Sequence, residues 1–289
     1  MKRDIFKQCL VVFFLFFLQI YSYSQQPASS LLWRISGNGL SGSSYLFGTI
    51  HAIPANKYFL PEEFKNKLIE CDNMVMEIDM ANPNMMMELQ NEMVMKYQRI
   101  DSLLSKEDYQ VVSAFFKDSL SIPLMMVNKV KPIFIASFIL QKFVGQNPVS
   151  YEANFLKLAK DNNKHVGGLE TIKEQVSYID RISLKDQAAM LVESVKDYDK
   201  QKKEYQQLVD AYLTGNLDAI YKLMIETTKE YKEFGSILIE ERNKNWAELI
   251  PAMIRKSSCF IAVGSGHLGG EMGVIHLLQN KGFTVEPVN

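Results

Sequence analysis

The chain has 289 residues, which is enough for one large domain or two small ones with a buried core. Its 32 basic and 33 acidic residues give a net charge of −1. A nucleic-acid-binding protein needs a basic surface stripe, so this charge balance argues against a nucleic-acid partner.

Residues 1–24 have the pattern of a secretory signal peptide. Basic residues precede an apolar stretch over residues 9–20, which is too short for a comfortable membrane span. The small residue Ser24 then predicts cleavage before Gln25. The alternative is an uncleaved anchor, which would be the only contact of the chain with a membrane. We therefore expect an exported protein, periplasmic or extracellular, with a single mature domain over residues 25–289.

Four apolar segments predict β-strands that end in polar residues, at 44–51, 73–79, 165–170 and 259–267, and a fifth strand is predicted at 283–288. Strands that alternate with helices favour an α/β fold with a central, mainly parallel sheet. Ligands of such sheets collect outside the carboxyl ends of the strands. His51, Glu77, Glu170 and His267 fall at this edge of the predicted sheet.

Helical patterns fill the intervals between these strands. A short helix starts near Pro61, and Ser105 and Ser183 each precede an acidic residue by three positions, which predicts capped helix starts. The stretch over about 81–163 is predicted to form a large helical elaboration above the strand edge, and a second helical stretch covers about 171–257. Cys71 and Cys259 each begin a predicted strand, so either a disulfide between neighbours or two buried thiols is expected.

Two copies of the pattern G-x-x-H close apolar strands, at Gly48–His51 and at Gly264–His267. In each copy a glycine permits a tight turn or a close backbone approach just before the histidine. Two imidazoles and a carboxylate at one pocket edge suit a catalytic divalent metal with an open position for water. His165 and His276 lack this construction and are expected to be structural.

The second copy also contains the spacing G-x-G-x-x-G, at Gly264, Gly266 and Gly269, which is typical of dinucleotide-binding loops. Only a short stretch of chain follows this loop, and nicotinamide cofactors are scarce outside the cytoplasm. That interpretation also leaves the first G-x-x-H unexplained. We therefore interpret the glycines as shaping the turn that presents His267.

The motifs and their order resemble the TraB/GumN family, the bacterial relatives of the TIKI metalloproteases. The resemblance covers residues 31–54, 74–79, 164–176, 211–220, 238–250 and 260–288. It implies a fold of the erythromycin-esterase/ChaN-like kind and a divalent metal bound by His51, His267 and Glu77. By resemblance the metal is manganese or cobalt, with zinc also possible.

The same resemblance matches Arg242 and Asn243 to a helical Arg-Asn pair and Glu170 to a Gly-Leu-Glu segment. It therefore implies catalytic roles for Glu77, Glu170, Arg242 and Asn243. Arg242 is either a clamp for an oxyanion or carboxylate, or a partner in a salt bridge. Gln175 is a weaker candidate, because it could equally be a helix surface residue.

Two functions are compatible with these motifs. The first is a metal-dependent hydrolase that acts on a peptide or protein substrate. The second is a non-catalytic, exported metal- or haem-binding protein on the same scaffold. The sequence predicts neither the substrate nor the oligomeric state.

Overall fold

The structure is a computed structural model that describes residues 29–145, 147–227 and 231–288. The predicted signal peptide and the alternative anchor, both within residues 1–24, lie outside these ranges. No helix in the described ranges is long and apolar enough to cross a membrane.

The strands form one six-stranded sheet and one small two-stranded sheet. In chain order they are β1 (Leu32–Ser36), β2 (Ser44–Thr49), β3 (Ile53–Pro54), β4 (Asn73–Ile78), β5 (Pro148–Val149), β6 (His165–Glu170), β7 (Cys259–Gly264) and β8 (Thr284–Pro287). The large sheet has the order β6–β4–β7–β2–β1–β8, and its first four strands are mutually parallel. The predicted α/β class and parallel core are therefore confirmed.

The large sheet is mixed, because β1 pairs antiparallel with both β2 and β8. The sequence pattern did not mark β1, a five-residue strand with an exposed Arg34. By contrast, all six residues of β2 and the first five of β7 are buried. Continuous apolar runs of this kind are typical of parallel strands that are covered on both faces.

Helices cover the sheet and extend beyond it. They are α1 (Glu62–Glu70), α2 (Met85–Glu92), α3 (Ile100–Leu103), α4 (Lys106–Leu120), α5 (Pro132–Val144), α6 (Tyr151–Asp161), α7 (Ile172–Ile179), α8 (Leu184–Lys196), α9 (Tyr198–Leu213), α10 (Leu217–Thr227), α11 (Lys232–Gly235), α12 (Glu241–Lys256) and α13 (Val274–Asn280). A π-helical segment, Ser236–Glu240, leads directly into α12. The two predicted caps are confirmed, because Ser105 and Ser183 accept hydrogen bonds from the backbone N–H groups three residues ahead.

The hydrophobic core has two parts. The larger part surrounds the sheet and includes the fully buried Phe47, Phe260 and Trp246. The smaller part lies among α3, α4, α5 and α8, with Phe116 and Leu191 at its centre. The helices predicted as an elaboration over 81–163 therefore share a core with a helix from the second helical stretch.

The parallel strands bring four motif residues to one edge of the sheet. Glu170 is the last residue of β6, and Glu77 is the penultimate residue of β4. His267 follows β7 by three residues, and His51 follows β2 by two. Because these strands are neighbours in the order β6–β4–β7–β2, the four residues lie in a row along the edge.

Cys71 and Cys259 are both buried free thiols. Cys259 pairs in register with Asn73, two residues after Cys71, so the cysteines belong to adjacent segments as expected. Burial raises the pKa of the Cys71 thiol to about 12. Of the two arrangements considered for these cysteines, the structure has the buried thiols.

We predict that iodoacetamide at pH 8 leaves Cys71 and Cys259 unmodified in the folded protein and alkylates both in denaturant. The thiolate is the reactive form, and burial suppresses it at this pH. Peptide mass spectrometry would report each site, and an added small thiol would show that the reagent is active. A Cys71–Cys259 linked peptide, or alkylation of either cysteine in the folded protein, would contradict this prediction.

Candidate active site

A cavity of about 290 Å³ opens at the edge where the parallel strands end. Its polar lining consists of His51, Glu77, Glu152, Gln175 and Arg242. Its apolar walls are Met76, Ile78, Met80, Ile179, Leu238 and Ala262. Glu170 and His267 lie directly behind this lining, through their contacts with Arg242.

Arg242 joins two buried carboxylates. Its Nη2 atom lies 2.5 Å from Glu77 Oε2 and 2.5 Å from Glu170 Oε1, and its Nε atom donates to Glu170 at 3.0 Å. All three side chains are at most 13% exposed. The Nη1 atom donates to the carbonyl oxygen of Leu238 at 3.1 Å and contacts His267 Nε2 at 3.2 Å. All five N–H donors of the guanidinium therefore have acceptors within the protein.

The Glu77 carboxylate is held in its ionised form. It accepts hydrogen bonds from Gly264 N–H at 2.8 Å and from Gln175 Nε2 at 3.3 Å, besides its contact with Arg242. Burial alone raises the pKa of Glu77, but positive charge at His267, Arg242 and His51 lowers it to about 2. Because His267 is neutral near pH 7, Arg242 is the main partner that acts there.

Glu170 depends on the same arginine. Burial raises the pKa of Glu170, whereas the hydrogen bond and charge of Arg242 oppose that rise. Gln175 Nε2 donates to Glu170 at 2.9 Å and Trp246 Nε1 donates at 3.3 Å. Gln175, a weaker candidate in the sequence, thus bridges both carboxylates, and the ring of Trp246 packs against the Arg242 guanidinium at 4.7 Å.

Asn243 fixes the orientation of His267. Its Nδ2 atom donates to the carbonyl oxygens of His267 and Met272, at 3.1 and 2.8 Å, so its Oδ1 atom is an acceptor. That oxygen lies 2.6 Å from His267 Nδ1, which therefore carries the ring proton and leaves a lone pair on Nε2. Burial lowers the pKa of His267 to about 3, and the charge of Arg242 adds to this effect. His267 is thus a neutral imidazole at physiological pH.

His51 has the opposite character. Its side chain is 71% exposed and lines the cavity. Its Nδ1 atom lies 3.0 Å from Glu152 Oε1, and this hydrogen bond raises the pKa of His51 to about 9 despite the opposing effect of burial. Near neutral pH the ring is therefore an imidazolium.

In each G-x-x-H motif, neighbouring atoms lie so close to one glycine that a Cβ atom would crowd them. A Cβ atom on Gly48 would lie 2.9–3.1 Å from Leu268 and Ser265, in the turn that carries His267. A Cβ atom on Gly264 would lie 3.3 Å from Glu77 Oε1. The first glycine thus lets β2 contact the second motif, and the second brings a backbone N–H to the carboxylate.

The dinucleotide interpretation of Gly264, Gly266 and Gly269 finds no counterpart in the described structure. A dinucleotide loop leads straight into a helix whose N-terminus holds the pyrophosphate. Here a 3₁₀ turn covers Ser265–His267, and α13 begins only at Val274. The Gly264 N–H is already bound to Glu77.

The predicted metal ligands come only partly together. Glu77 Oε1 and His267 Nε2 are 4.0 Å apart, while His51 lies on the wall of the same cavity and is bound to Glu152. Among the described residues, no three His, Cys, Asp or Glu side chains form a cluster that could hold an ion. His165 and His276 are exposed and do not line the cavity.

Sequence reasoning missed Glu152. This residue lies in the first turn of α6, inside the stretch interpreted as a helical elaboration. The only local signal is the cap residue Ser150 followed by an acid, which is an ordinary helix start. Nothing in the linear sequence relates Glu152 to His51, about a hundred residues earlier.

Comparison with known proteins gives a family and two distant relatives. The model of the TraB/PrgY/gumN family matches residues 31–287. The chain is 22% identical to metalloprotease TIKI2 of Xenopus tropicalis and 23% identical to a metalloprotease TIKI homolog of Amphimedon queenslandica. These alignments cover 91% and 89% of this chain but only 60% and 61% of the relatives. No solved structure matches the chain.

We predict that Arg242→Ala lowers the free energy of unfolding by about 3–5 kcal/mol, because it leaves two buried carboxylates without their cation. Urea denaturation at pH 7 would measure the loss. The matched control is Arg181→Ala, which breaks a surface pair with Glu241 and should cost about 1 kcal/mol or less. Equal losses in the two variants would show that the buried ion pairs of Arg242 stabilise the protein no more than the surface pair of Arg181 does.

We also predict an acid-dependent loss of stability that is specific to Glu77. Its pKa of about 2 in the folded protein lies below the ordinary value of 4.5, so protonation favours the unfolded chain as the pH falls through this window. Between pH 5 and pH 3, the free energy of unfolding of wild type should therefore fall by about 2 kcal/mol relative to that of Glu77→Gln. A pH-independent difference in urea denaturation would contradict the lowered pKa.

Proposed function

The chain belongs to the TraB/PrgY/gumN family, and we propose that it is a divalent-metal-dependent hydrolase that cleaves peptide bonds. The observation that carries this proposal is one cavity lined by an ionised Glu77 and an exposed His51, with a neutral His267 behind the lining at 4.0 Å from Glu77. The two relatives described as metalloproteases add support. The chain spans about three fifths of the length of these relatives.

The donor chemistry at Glu77 and His267 fits a divalent ion. Glu77 is a carboxylate, and His267 has a lone pair on Nε2 and an Nδ1 proton fixed by Asn243. Their separation of 4.0 Å is within twice the usual ion–ligand distance of about 2.1 Å. Arg242 Nη1 contacts the same Nε2, so an ion and Arg242 compete for His267.

We propose Glu77, His267 and His51 as the residues that hold the ion. Such an ion, when bound, polarises a carbonyl group and lowers the pKa of its water. His51 must release its extra proton before it can act as a ligand, since a protonated imidazole has no free lone pair.

The side chains around the cavity supply the remaining requirements of peptide hydrolysis. Glu170 and Arg242 keep Glu77 ionised and in place. The apolar walls of the cavity can contact the apolar parts of a peptide substrate.

Three finer points belong to the same proposal. We propose that the protein is exported by way of residues 1–24, that its fold is of the erythromycin-esterase/ChaN-like kind, and that its substrate is a peptide or protein. The haem-binding alternative has weaker support, because the cavity of about 290 Å³ is at the lower limit of pockets that hold drug-sized ligands.

We predict that the purified protein binds manganese, cobalt or zinc and cleaves members of a peptide library when one of these ions is supplied. His51→Ala and His267→Ala should lose the ion, and cleavage by Glu77→Gln should fall by at least about 100-fold. Elemental analysis and mass spectrometry of the cleaved library would measure both effects. The matched control is His276→Ala, which changes an exposed histidine outside the cavity.

Unchanged metal content in both single histidine variants would remove these residues as ligands. Cleavage that persists in a Glu77→Ala, His267→Ala double variant would show that the activity belongs to a contaminant. Metal binding without any cleavage would favour the non-catalytic alternative.

A further inference from the structure

Glu152 forms a network of hydrogen bonds in the wall of the cavity. Its Oε1 atom accepts a hydrogen bond from Thr49 Oγ1 at 2.6 Å and lies 3.0 Å from His51 Nδ1. Its Oε2 atom accepts a hydrogen bond from Ser150 Oγ at 2.9 Å. The side chain is only 14% exposed, so these partners hold the carboxylate in one position.

The backbone on both sides of this contact is also fixed. Strands β3 and β5 pair Ile53 with Val149, which brings the segment after His51 alongside the segment before Glu152. Two tyrosines of α9 hold the chain around His51: Tyr212 donates to the carbonyl oxygen of Gly48 at 2.9 Å and Tyr205 to that of Ala52 at 2.8 Å. The proximity of His51 and Glu152 therefore results from the fold and not from a chance contact of two surface side chains.

The arrangement matches the one at the second histidine. Asn243 Oδ1 holds Nδ1 of His267, and Glu152 Oε1 holds Nδ1 of His51. In both cases a side-chain oxygen from a helix accepts a hydrogen bond from Nδ1. Nε2 is then the ring nitrogen that can bind another group. Partners of this kind fix the tautomer and the ring orientation of functional histidines.

A purely structural role at the helix start does not explain these contacts. An acid in the first turn stabilises a helix dipole while remaining in solvent, as Glu107 does in α4. Glu152 is instead removed from solvent and bound to the strand and loop that carry the first G-x-x-H.

We propose that Glu152 is a positioning residue of this site: its carboxylate holds Nδ1 of His51 and so leaves Nε2 for the cavity. The consequence for catalysis rests on the proposed hydrolase function, whereas the coupling between Glu152 and the His51 ring does not. The two parts are therefore tested by separate measurements.

The first measurement is NMR of the protein labelled with ¹⁵N at histidine, with His51 assigned through His51→Ala. In wild type, His51 Nδ1 should remain protonated at every pH at which the protein stays folded, including the range in which the ring is neutral. Glu152→Ala should lose this preference and show both neutral tautomers. Glu152→Gln should keep it, because the amide oxygen can still accept the Nδ1 proton.

Two further variants separate positioning from folding. Glu152→Asp keeps the charge and the helix-start acid but withdraws the carboxylate by one methylene group, so it should behave like Glu152→Ala in the NMR spectrum. Glu107→Ala removes a first-turn acid elsewhere and should leave His51 unchanged. If Nδ1 remains the single protonated nitrogen of the neutral His51 ring in both Glu152→Ala and Glu152→Asp, the proposal is wrong.

The second measurement is peptide hydrolysis by the same variants. Loss of a partner that orients a functional histidine costs roughly 10–100-fold, and here kcat should fall with a smaller change in KM. Glu152→Gln should recover most of the rate. Wild-type kcat in Glu152→Ala would exclude a role for the positioning in catalysis. Absence of hydrolase activity in the wild-type protein would contradict the proposed function. The NMR measurement would still test whether Glu152 positions the His51 ring.

Discussion

The site depends on one buried cation. Glu77 and Glu170 project from neighbouring strands at a depth where two ionised carboxylates would repel each other and lose their hydration. The Arg242 guanidinium satisfies both, and its remaining donors reach His267 and the π-helical segment that precedes α12. One side chain thus connects two strands, a turn and a helix. The geometry at the sheet edge therefore depends on these ion pairs and hydrogen bonds as well as on apolar packing.

Burial and neighbouring charges give the two motif histidines different protonation states. Burial lowers the pKa of His267, and the charge of Arg242 adds to this effect, so the ring stays neutral. His51 is open to the cavity and paired with Glu152, so it stays charged. Environments that push the pKa values of similar groups apart commonly assign them different roles. The repeated G-x-x-H pattern therefore places a charged imidazole on the wall of the cavity and a neutral imidazole behind it.

The sequence predicts this site unevenly, for physical reasons. Apolar runs identify β2, β4, β6 and β7, and parallel pairing then predicts that His51, Glu77, Glu170 and His267 share an edge. The short β1 escapes detection, because its burial comes from pairing with β2 and β8 and not from its own pattern. The sequence does not predict the role of Glu152, because its contact with His51 depends on two residue pairs between β3 and β5. Such contacts leave no period in the local sequence.

The place of β7 in the sheet has a consequence for how the molecule folds. This strand comes late in the chain, at residues 259–264, yet it lies between β4 and β2. Until it emerges, β6–β4 and β2–β1 are two separate pairs that lack the strand joining them. Pairings between distant parts of a chain form slowly, and unpaired strand edges invite association with other chains. Completion of the parallel part of the sheet therefore requires β7, the same strand that leads into the turn carrying His267.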